Sequence, residues 1–236
     1  MEEINKKVTK FYDEFSSQQE KTGLNIRHLT IFNNLKKSGL KENSKVLEIG
    51  CGIGTVTNLI ARFVLEGKIV AVDISPQSIE VAKRAHKNFS NVQFLVSDMS
   101  DFKSNIIFDF VVLPDVLEHI PLEQHPLIFK IINQYTHSES VVLINIPNPS
   151  YLRWLHKNKP QLLQIIDQPL STDILLNICY QNDFHLHSLQ VYSIDIEEGD
   201  YQSIVLKRGR DFEFSKVTNT SRFIRLIQKV KAKMKK

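Results

Sequence analysis

The chain has 236 residues, a net charge of +4 and 42% hydrophobic residues, which is the composition of an ordinary globular protein. It contains no run of ~20 apolar residues that could span a membrane, and Met1 is not followed by the apolar stretch of a secretory signal. Its two cysteines, Cys51 and Cys179, suggest neither a disulfide framework nor a thiolate metal cluster. We therefore expect a cytoplasmic protein built around one α/β domain.

The basic charge is concentrated at the C-terminus. Residues 207–236 contain eleven Lys or Arg against two acidic residues, whereas residues 1–206 are acidic overall. Within 222–236, apolar and basic residues interleave at helical spacing, which predicts a basic amphipathic tail. Such a tail could lie on an anionic membrane surface, so peripheral membrane contact is one hypothesis; packing on the body or simple solvation are the alternatives.

The order of predicted elements indicates an α/β fold. Polar helical segments over 1–39 predict an N-terminal helical cap that ends at Gly39. Strands and helices then alternate, and the predicted parallel strands are Lys45–Ile49, Lys68–Asp73, Asn91–Ser97, Phe108–Leu113 and Ser140–Ile146. A less regular stretch over Tyr151–Pro169 and a helix at Thr172–Asn182 come next, and two last strands, His185–Ile194 and Tyr201–Leu206, are close enough for an antiparallel hairpin. We expect a seven-stranded, mostly parallel sheet with helices on both faces.

A glycine-rich loop follows the first predicted strand. Gly50, Gly52 and Gly54 alternate at the turn into the first helix, where glycine lets the backbone approach a nucleotide-like ligand. The phosphate-binding pattern G-x-G-x-x-G is not met, because the sixth position is Thr55. Asp73 ends the second strand ~20 residues later, where a carboxylate can accept both ribose hydroxyls of NAD or S-adenosylmethionine.

The run Val46–Thr55 resembles the first motif of class I, Rossmann-like S-adenosylmethionine-dependent methyltransferases. Ser97–Met99 and Phe108–Ile120 are similar to later motifs of that family, in the correct order. The motif style is nearest to small-molecule and ubiquinone-biosynthesis-type O-methyltransferases. The resemblance implies S-adenosylmethionine as the cofactor and a Rossmann-like domain over 40–206, with a substrate-side insertion at 148–170.

The resemblance also assigns the cofactor site. Glu48 would face the methionine portion of the cofactor, Asp98 would take the adenine amine, and Ile74 and Met99 would flank the ring. Cys51 occupies a small-residue position of the motif and is interpreted as a packed thiol. The implied cofactor-binding residues are Glu48, Gly50, Cys51, Gly52, Gly54, Asp73, Ile74, Asp98, Met99 and Leu113.

The segment after the fourth strand carries the catalytic candidates. Methyl transfer from a sulfonium needs mainly alignment and exclusion of water, but a hydroxyl acceptor also needs a base, and His119 is the candidate. Its alternative role is to bind a backbone carbonyl or to start the next helix. Asp115, Glu118 and His119 could instead hold a divalent cation, since they resemble the acid-x-x-Glu-His metal site of the ubiquinone-biosynthesis enzymes, although Asp115 is shorter than the Glu expected there.

The acceptor is expected beneath the cap and the insertion, where Tyr151, Arg153, Trp154 and His156 could stack on it and hydrogen-bond to it; the alternative is that the aromatic residues only anchor the packing of the segment. Tyr12 of the cap could close over the cofactor, but as a tyrosine on a helix with Phe11 and Phe15 it is expected on the apolar face of that helix. The favoured function is methyl transfer to oxygen of a small-molecule, glycan or lipid-linked acceptor. The alternatives are a nucleic-acid methyltransferase, which the acidic body opposes, and a cofactor-binding scaffold without catalysis.

Overall fold

The fold is described from a computed structural model, which covers residues 9–13 and 22–209; the predicted amphipathic tail at 222–236 therefore lies outside the described residues. The strands are β1 Lys45–Ile49, β2 Lys68–Asp73, β3 Val92–Val96, β4 Phe108–Pro114, β5 Thr136–Pro147, β6 Phe184–Tyr192 and β7 Tyr201–Arg208. The helices are α1 Ile26–Lys37, α2 Thr55–Phe63, α3 Pro76–Ala85, α4 His125–Gln134, α5 Pro149–Asn158 and α6 Thr172–Gln181. Short 3-10 turns cover Leu117–His119, Leu122–Gln124 and Pro160–Leu162.

The seven strands form one sheet in the order β3-β2-β1-β4-β5-β7-β6. The strands β1 to β5 pair in parallel, and β7 lies antiparallel between β5 and β6. The predicted mostly parallel sheet with a closing antiparallel hairpin is therefore confirmed. None of the helices in the described part of the chain is both long and apolar enough to cross a bilayer.

The core lies on both faces of this sheet, because successive side chains of a strand point in opposite directions. Leu47 and Val111 join a buried cluster that includes residues of α4 and α6. Val46 and Val112, their chain neighbours, join a second buried cluster with α1 and α2. The expectation of helices on both faces is confirmed.

Helix α5 corrects the sequence interpretation of Tyr151–Pro169 as a less regular stretch. The side chain of Asn148 accepts a hydrogen bond from the Ser150 backbone N–H at 3.0 Å, which is the geometry of a helix N-cap. Leu152 and Leu155 are buried beneath the helix. With Pro149, the helix has three buried residues, which are too few to give a clear apolar period in the sequence.

Parallel pairing brings the carboxyl ends of β1 to β5 to one edge of the sheet, where ligands of open α/β folds bind. The loops from β1 into α2, from β2 into α3, and from β4 into the Leu117–His119 turn all leave from this edge. Helix α5 leaves β5 at the same edge, and the start of α1 reaches it as well. The topology therefore gathers segments that are far apart in the chain.

Candidate active site

A cavity of about 450 Å³ opens at this edge of the sheet. Residues after β1, β2 and β3 line one half of it, which we name the cofactor half. Residues after β4 and β5, together with parts of the N-terminal region and β7, line the other half, which we name the acceptor half. The sheet order separates the two halves, because β3, β2 and β1 lie on one side of β4.

The glycine loop needs glycine at Gly50 for two reasons. The backbone is left-handed there, with φ of +77°, and it is also left-handed at Gly52 and Gly54. A Cβ atom added to Gly50 would lie 2.6 Å from Cγ2 of Val116, in the segment after β4. The loop therefore approaches the acceptor half as closely as a residue without a side chain permits.

Gly50→Ala is expected to destabilise the fold by about 1–3 kcal/mol and to weaken binding of S-adenosylhomocysteine, because it combines backbone strain with a clash. Gly39→Ala is the matched control: φ is +102° there, but an added Cβ would meet nothing within 4 Å. Thermal unfolding and calorimetric titration of both variants measure the difference. Equal losses of stability and of affinity in the two variants would show that the contact with Val116 does not constrain the loop.

Asp73 accepts hydrogen bonds from two backbone N–H groups, one of which belongs to the glycine loop. Its Oδ2 accepts a hydrogen bond from the Gly52 N–H at 2.7 Å, and its Oδ1 accepts one from the Ser75 N–H at 2.9 Å. Burial raises the pKa of this carboxyl, although both hydrogen bonds oppose the shift. Each carboxylate oxygen keeps a second lone pair, so the group can still accept hydroxyl donors from a ligand in the cavity.

Glu48 supplies the clearest indication of a missing partner. The residue lines the cavity and is fully buried, its Oε2 accepts a 2.6 Å hydrogen bond from the Thr57 hydroxyl, and its Oε1 has no hydrogen-bond partner among the described residues. Burial raises the pKa of Glu48 to about 8, although the bond from Thr57 opposes this. Because buried polar atoms are nearly always satisfied, Glu48 fits a donor such as the amino group of S-adenosylmethionine.

Eight of the ten predicted cofactor residues line the cavity, namely Glu48, Gly50, Cys51, Gly52, Asp73, Ile74, Asp98 and Met99. Burial raises the pKa of the Cys51 thiol, as expected of a packed group that is not a nucleophile. Gly54 and Leu113 do not line the cavity. A Cβ on Gly54 would point at His86, 2.8 Å away, and the alternation of β4 turns Leu113 into the core.

His119 lies in the acceptor half, on the short turn after β4. Its Nδ1 donates to the backbone carbonyl of Ile166 at 2.7 Å and lies 3.1 Å from Oδ1 of Asp167. Because a carbonyl oxygen only accepts, Nδ1 carries the hydrogen, which leaves Nε2 as the nitrogen that can take a proton. Nε2 lies 3.8 Å from Oε1 of Glu118.

The two carboxylates determine the charge of this imidazole. Burial lowers the pKa of His119, but the Glu118 and Asp167 carboxylates more than offset it and raise the pKa to about 9. Glu118 is itself buried, which raises its pKa, and its Oε2 has no hydrogen-bond partner among the described residues. The acceptor half thus contains a buried hydrogen-bond acceptor beside a histidine with a free ring nitrogen.

Asp115 is engaged elsewhere. Its Oδ2 lies 2.8 Å from Nε of Arg27, and its Oδ1 accepts a 2.6 Å hydrogen bond from the Asn145 amide. Arg27 also donates to the Tyr201 hydroxyl at 2.7 Å. In residues 9–13 and 22–209, no three His, Cys, Asp or Glu side chains converge as a metal site would require. The structure therefore does not bring Asp115, Glu118 and His119 together as metal ligands.

Tyr12 reaches from the N-terminal helical segment into the acceptor half. Its hydroxyl donates to Oε1 of Gln164 at 2.9 Å, and its ring centroid lies 6.0 Å from that of His119. It therefore lines the acceptor half, as the alternative that the cap closes over the cavity would require. Of the two predicted stacking residues, Tyr151 lines the cavity, while Trp154 stacks on the outer side of Tyr151 and is half-exposed.

Sequence comparison finds a family model, described as a methyltransferase domain, that matches residues 40–178. Nodulation protein S of Bradyrhizobium diazoefficiens is 25% identical over 115 residues, which are 48% of this chain and 54% of that protein. Ribosomal protein L11 methyltransferase of Thermotoga maritima is 34% identical over 112 residues, which are 46% of this chain and 39% of that protein. The chain thus spans about half or less of the length of these two relatives.

Similar solved structures support the same fold. Magnesium protoporphyrin IX methyltransferase from Synechocystis PCC 6803, solved with bound S-adenosylhomocysteine, has a TM-score of 0.70 and 16% identity, covering 87% of this chain and all of that one (100%). N-methyltransferase NodS from Bradyrhizobium japonicum has a TM-score of 0.61 and 17% identity, covering 78% and 95% of the two chains. At these identities the likeness concerns the fold alone.

Proposed function

The chain belongs to the methyltransferase-domain family, and from that premise we propose that it transfers a methyl group from S-adenosylmethionine to oxygen of a small-molecule, glycan or lipid-linked acceptor. S-adenosylmethionine is the cofactor. We choose oxygen because of the position of His119 in the acceptor half. Its Nδ1 contacts Ile166 and Asp167, so its Nε2 remains as a base that a hydroxyl acceptor needs.

In this proposal, separate residues bind the cofactor and accept the proton. The bound cofactor supplies a methyl group on a positively charged sulfur. Glu48 and Asp73 bind its methionine and ribose portions, and the glycine loop allows the close approach. Nε2 of His119 would accept the proton of the acceptor hydroxyl, and the cofactor would supply the methyl group that the oxygen takes in its place. Asp167 holds the imidazole in the required tautomer.

The charge of the cavity supports an acceptor without phosphate at its reacting end. Seven carboxylate residues line the cavity, whereas Arg27 is the single Lys or Arg among the described lining residues. Its charge is balanced by Asp115 at 2.8 Å. Among the described lining residues, such a surface offers a phosphate backbone no unpaired Lys or Arg, so the nucleic-acid alternative is the less favoured one.

The acceptor can be identified with labelled S-adenosylmethionine and a panel of hydroxylated lipids, nucleotide sugars, quinone precursors and RNA. We expect label in a hydroxylated compound, and mass spectrometry of the product locates the methylated atom. Label on nitrogen, or in RNA, would replace the proposed acceptor. Cofactor binding with no labelled product from any class would favour the scaffold alternative.

The pH dependence of turnover tests the role of Asp167. Since only the neutral imidazole accepts a proton, turnover should rise with pH until His119, with a pKa of about 9, is deprotonated. Asp167→Asn removes a carboxylate that raises this pKa, so the rise should move roughly one to three units toward lower pH. A pH profile of kcat for both proteins measures the shift.

Asp109→Asn is the matched control for this experiment. Asp109 pairs with His137 at 3.0 Å, at the opposite edge of the sheet from the cavity. The control should keep the pH profile of the unmodified protein. An unchanged profile in Asp167→Asn would contradict the assignment of His119 as a base oriented by Asp167.

A further inference from the structure

The insertion has an outer surface that combines apolar and basic side chains. Three large apolar side chains are exposed there, Trp154 at 47%, Leu162 at 60% and Ile165 at 46% of their full accessible area. Residues 149–166 contain no Asp or Glu, and the basic side chains of Arg153, Lys157 and Lys159 are exposed in the same segment. We name these six residues the insertion surface.

The geometry of α5 explains how the two kinds of side chain share one surface. Leu152 and Leu155 face inward and line the cavity. Arg153 and Lys157 are one helical turn apart on the opposite, exposed side, with Trp154 beside them. Lys159 places its Nζ 5.5 Å above the Trp154 ring. One cationic group therefore lies against the largest exposed aromatic ring of the segment.

The insertion surface continues into the mouth of the cavity. Leu162 belongs to both, because it lines the acceptor half and remains 60% exposed. Trp154 stacks with Tyr151, another cavity residue, at a centroid distance of 6.3 Å. A molecule entering beside Leu162 would therefore pass from the insertion surface directly to the acceptor half.

We propose that the insertion surface docks on a bilayer that contains anionic lipid and presents the mouth of the cavity to it. Apolar and aromatic side chains interleaved with Lys and Arg are the composition of surfaces that lie in a membrane interface. The absence of acidic residues over 149–166 complements a negative leaflet, although the body is acidic overall. The use of docking to reach a lipid-linked acceptor rests on the proposed function; docking itself requires no acceptor.

Co-sedimentation of the full chain with phosphatidylcholine vesicles, with and without phosphatidylglycerol, tests the proposal at low and high salt. We expect binding that requires phosphatidylglycerol and weakens with salt. The variant R153E/K157E should lower the partition coefficient by at least roughly thirtyfold, the equivalent of about 1 kcal/mol for each basic residue. L162S/I165S should also lower it, because the apolar contribution is lost.

Two controls separate this surface from others. K83E/R84E makes the same change of charge at exposed positions of α3 and should bind as the unmodified chain does. A full-length I224D/I227D variant removes apolar residues of the predicted tail. Affinity for S-adenosylhomocysteine, measured for every variant, shows that the fold is intact.

The outcomes decide between the surfaces. Loss of binding in R153E/K157E and L162S/I165S, but not in K83E/R84E, supports the proposal. No binding to anionic vesicles by the full chain would overturn it. Binding that survives both insertion variants and disappears in I224D/I227D would overturn it too, because the tail would then be the membrane contact. Each result stands whether or not methyl transfer to oxygen is found.

Discussion

His119→Ala is expected to lower turnover by ~10²–10⁴ while affinity for S-adenosylmethionine survives, because the variant loses the base but keeps the cofactor half. His119 lines the acceptor half, and its Nδ1 is occupied by Ile166 and Asp167, so the loss falls on the proton acceptor at Nε2. Single-turnover measurement with the acceptor found in the labelled screen separates the methyl-transfer step from binding.

His137→Ala is the matched control, since His137 forms a comparable contact with Asp109 away from the cavity. It should leave turnover unchanged. Full activity of His119→Ala would remove the base from the mechanism. If a divalent cation acts there instead, EDTA will abolish activity and magnesium or zinc will restore it. The engagement of Asp115 by Arg27 makes chelator resistance the expected result.

Asp73→Ala is expected to weaken binding of S-adenosylhomocysteine by roughly ten- to over a hundredfold, which corresponds to ~1.5–3 kcal/mol for a charged hydrogen-bond acceptor. The variant loses the proposed acceptor for ribose hydroxyls and also leaves the N–H groups of Gly52 and Ser75 without their partner. Isothermal calorimetry measures the affinity without any need for the methyl acceptor.

Asp73→Asn provides the comparison, because its amide oxygen replaces one acceptor while the charge is removed. It should bind more weakly than the unmodified protein and more tightly than Asp73→Ala. Thermal unfolding of both variants reports how much of the loss comes from the loop. Unchanged affinity in Asp73→Ala would contradict the ribose assignment.

The acceptor half depends on contacts between the insertion and the turn after β4. The Gln168 backbone N–H donates to the Glu118 carbonyl at 2.9 Å, and the Gln168 side-chain amide donates to the Ile120 carbonyl. Oδ2 of Asp167 accepts the Gln164 N–H at 2.6 Å. These bonds fix the segment that contacts His119, so in the proposed mechanism the insertion positions the base as well as covering the cavity.

Much of the cofactor half could be predicted from the sequence because its requirements are local. A left-handed turn at the end of a strand favours glycine. The run from Glu48 to Gly54 contains three alternating glycines, so the turn can be recognised from one short stretch of sequence. Asp73 could be placed because the carboxyl ends of adjacent parallel strands meet at one edge. Gly54 and Leu113, predicted from the same motifs, do not line the cavity, because membership of a motif does not reveal which way a residue points.

The sequence by itself therefore determined the sheet, its hairpin, the glycine loop and its acidic partner, since each follows from periodicity or from neighbours along the chain. Only the tertiary structure decided the acceptor half. Asp167 meets His119, and Arg27 meets Asp115, across long separations in the chain. Such pairs carry no periodic or spacing signal, because their contact depends on how the cap and the insertion close over the sheet.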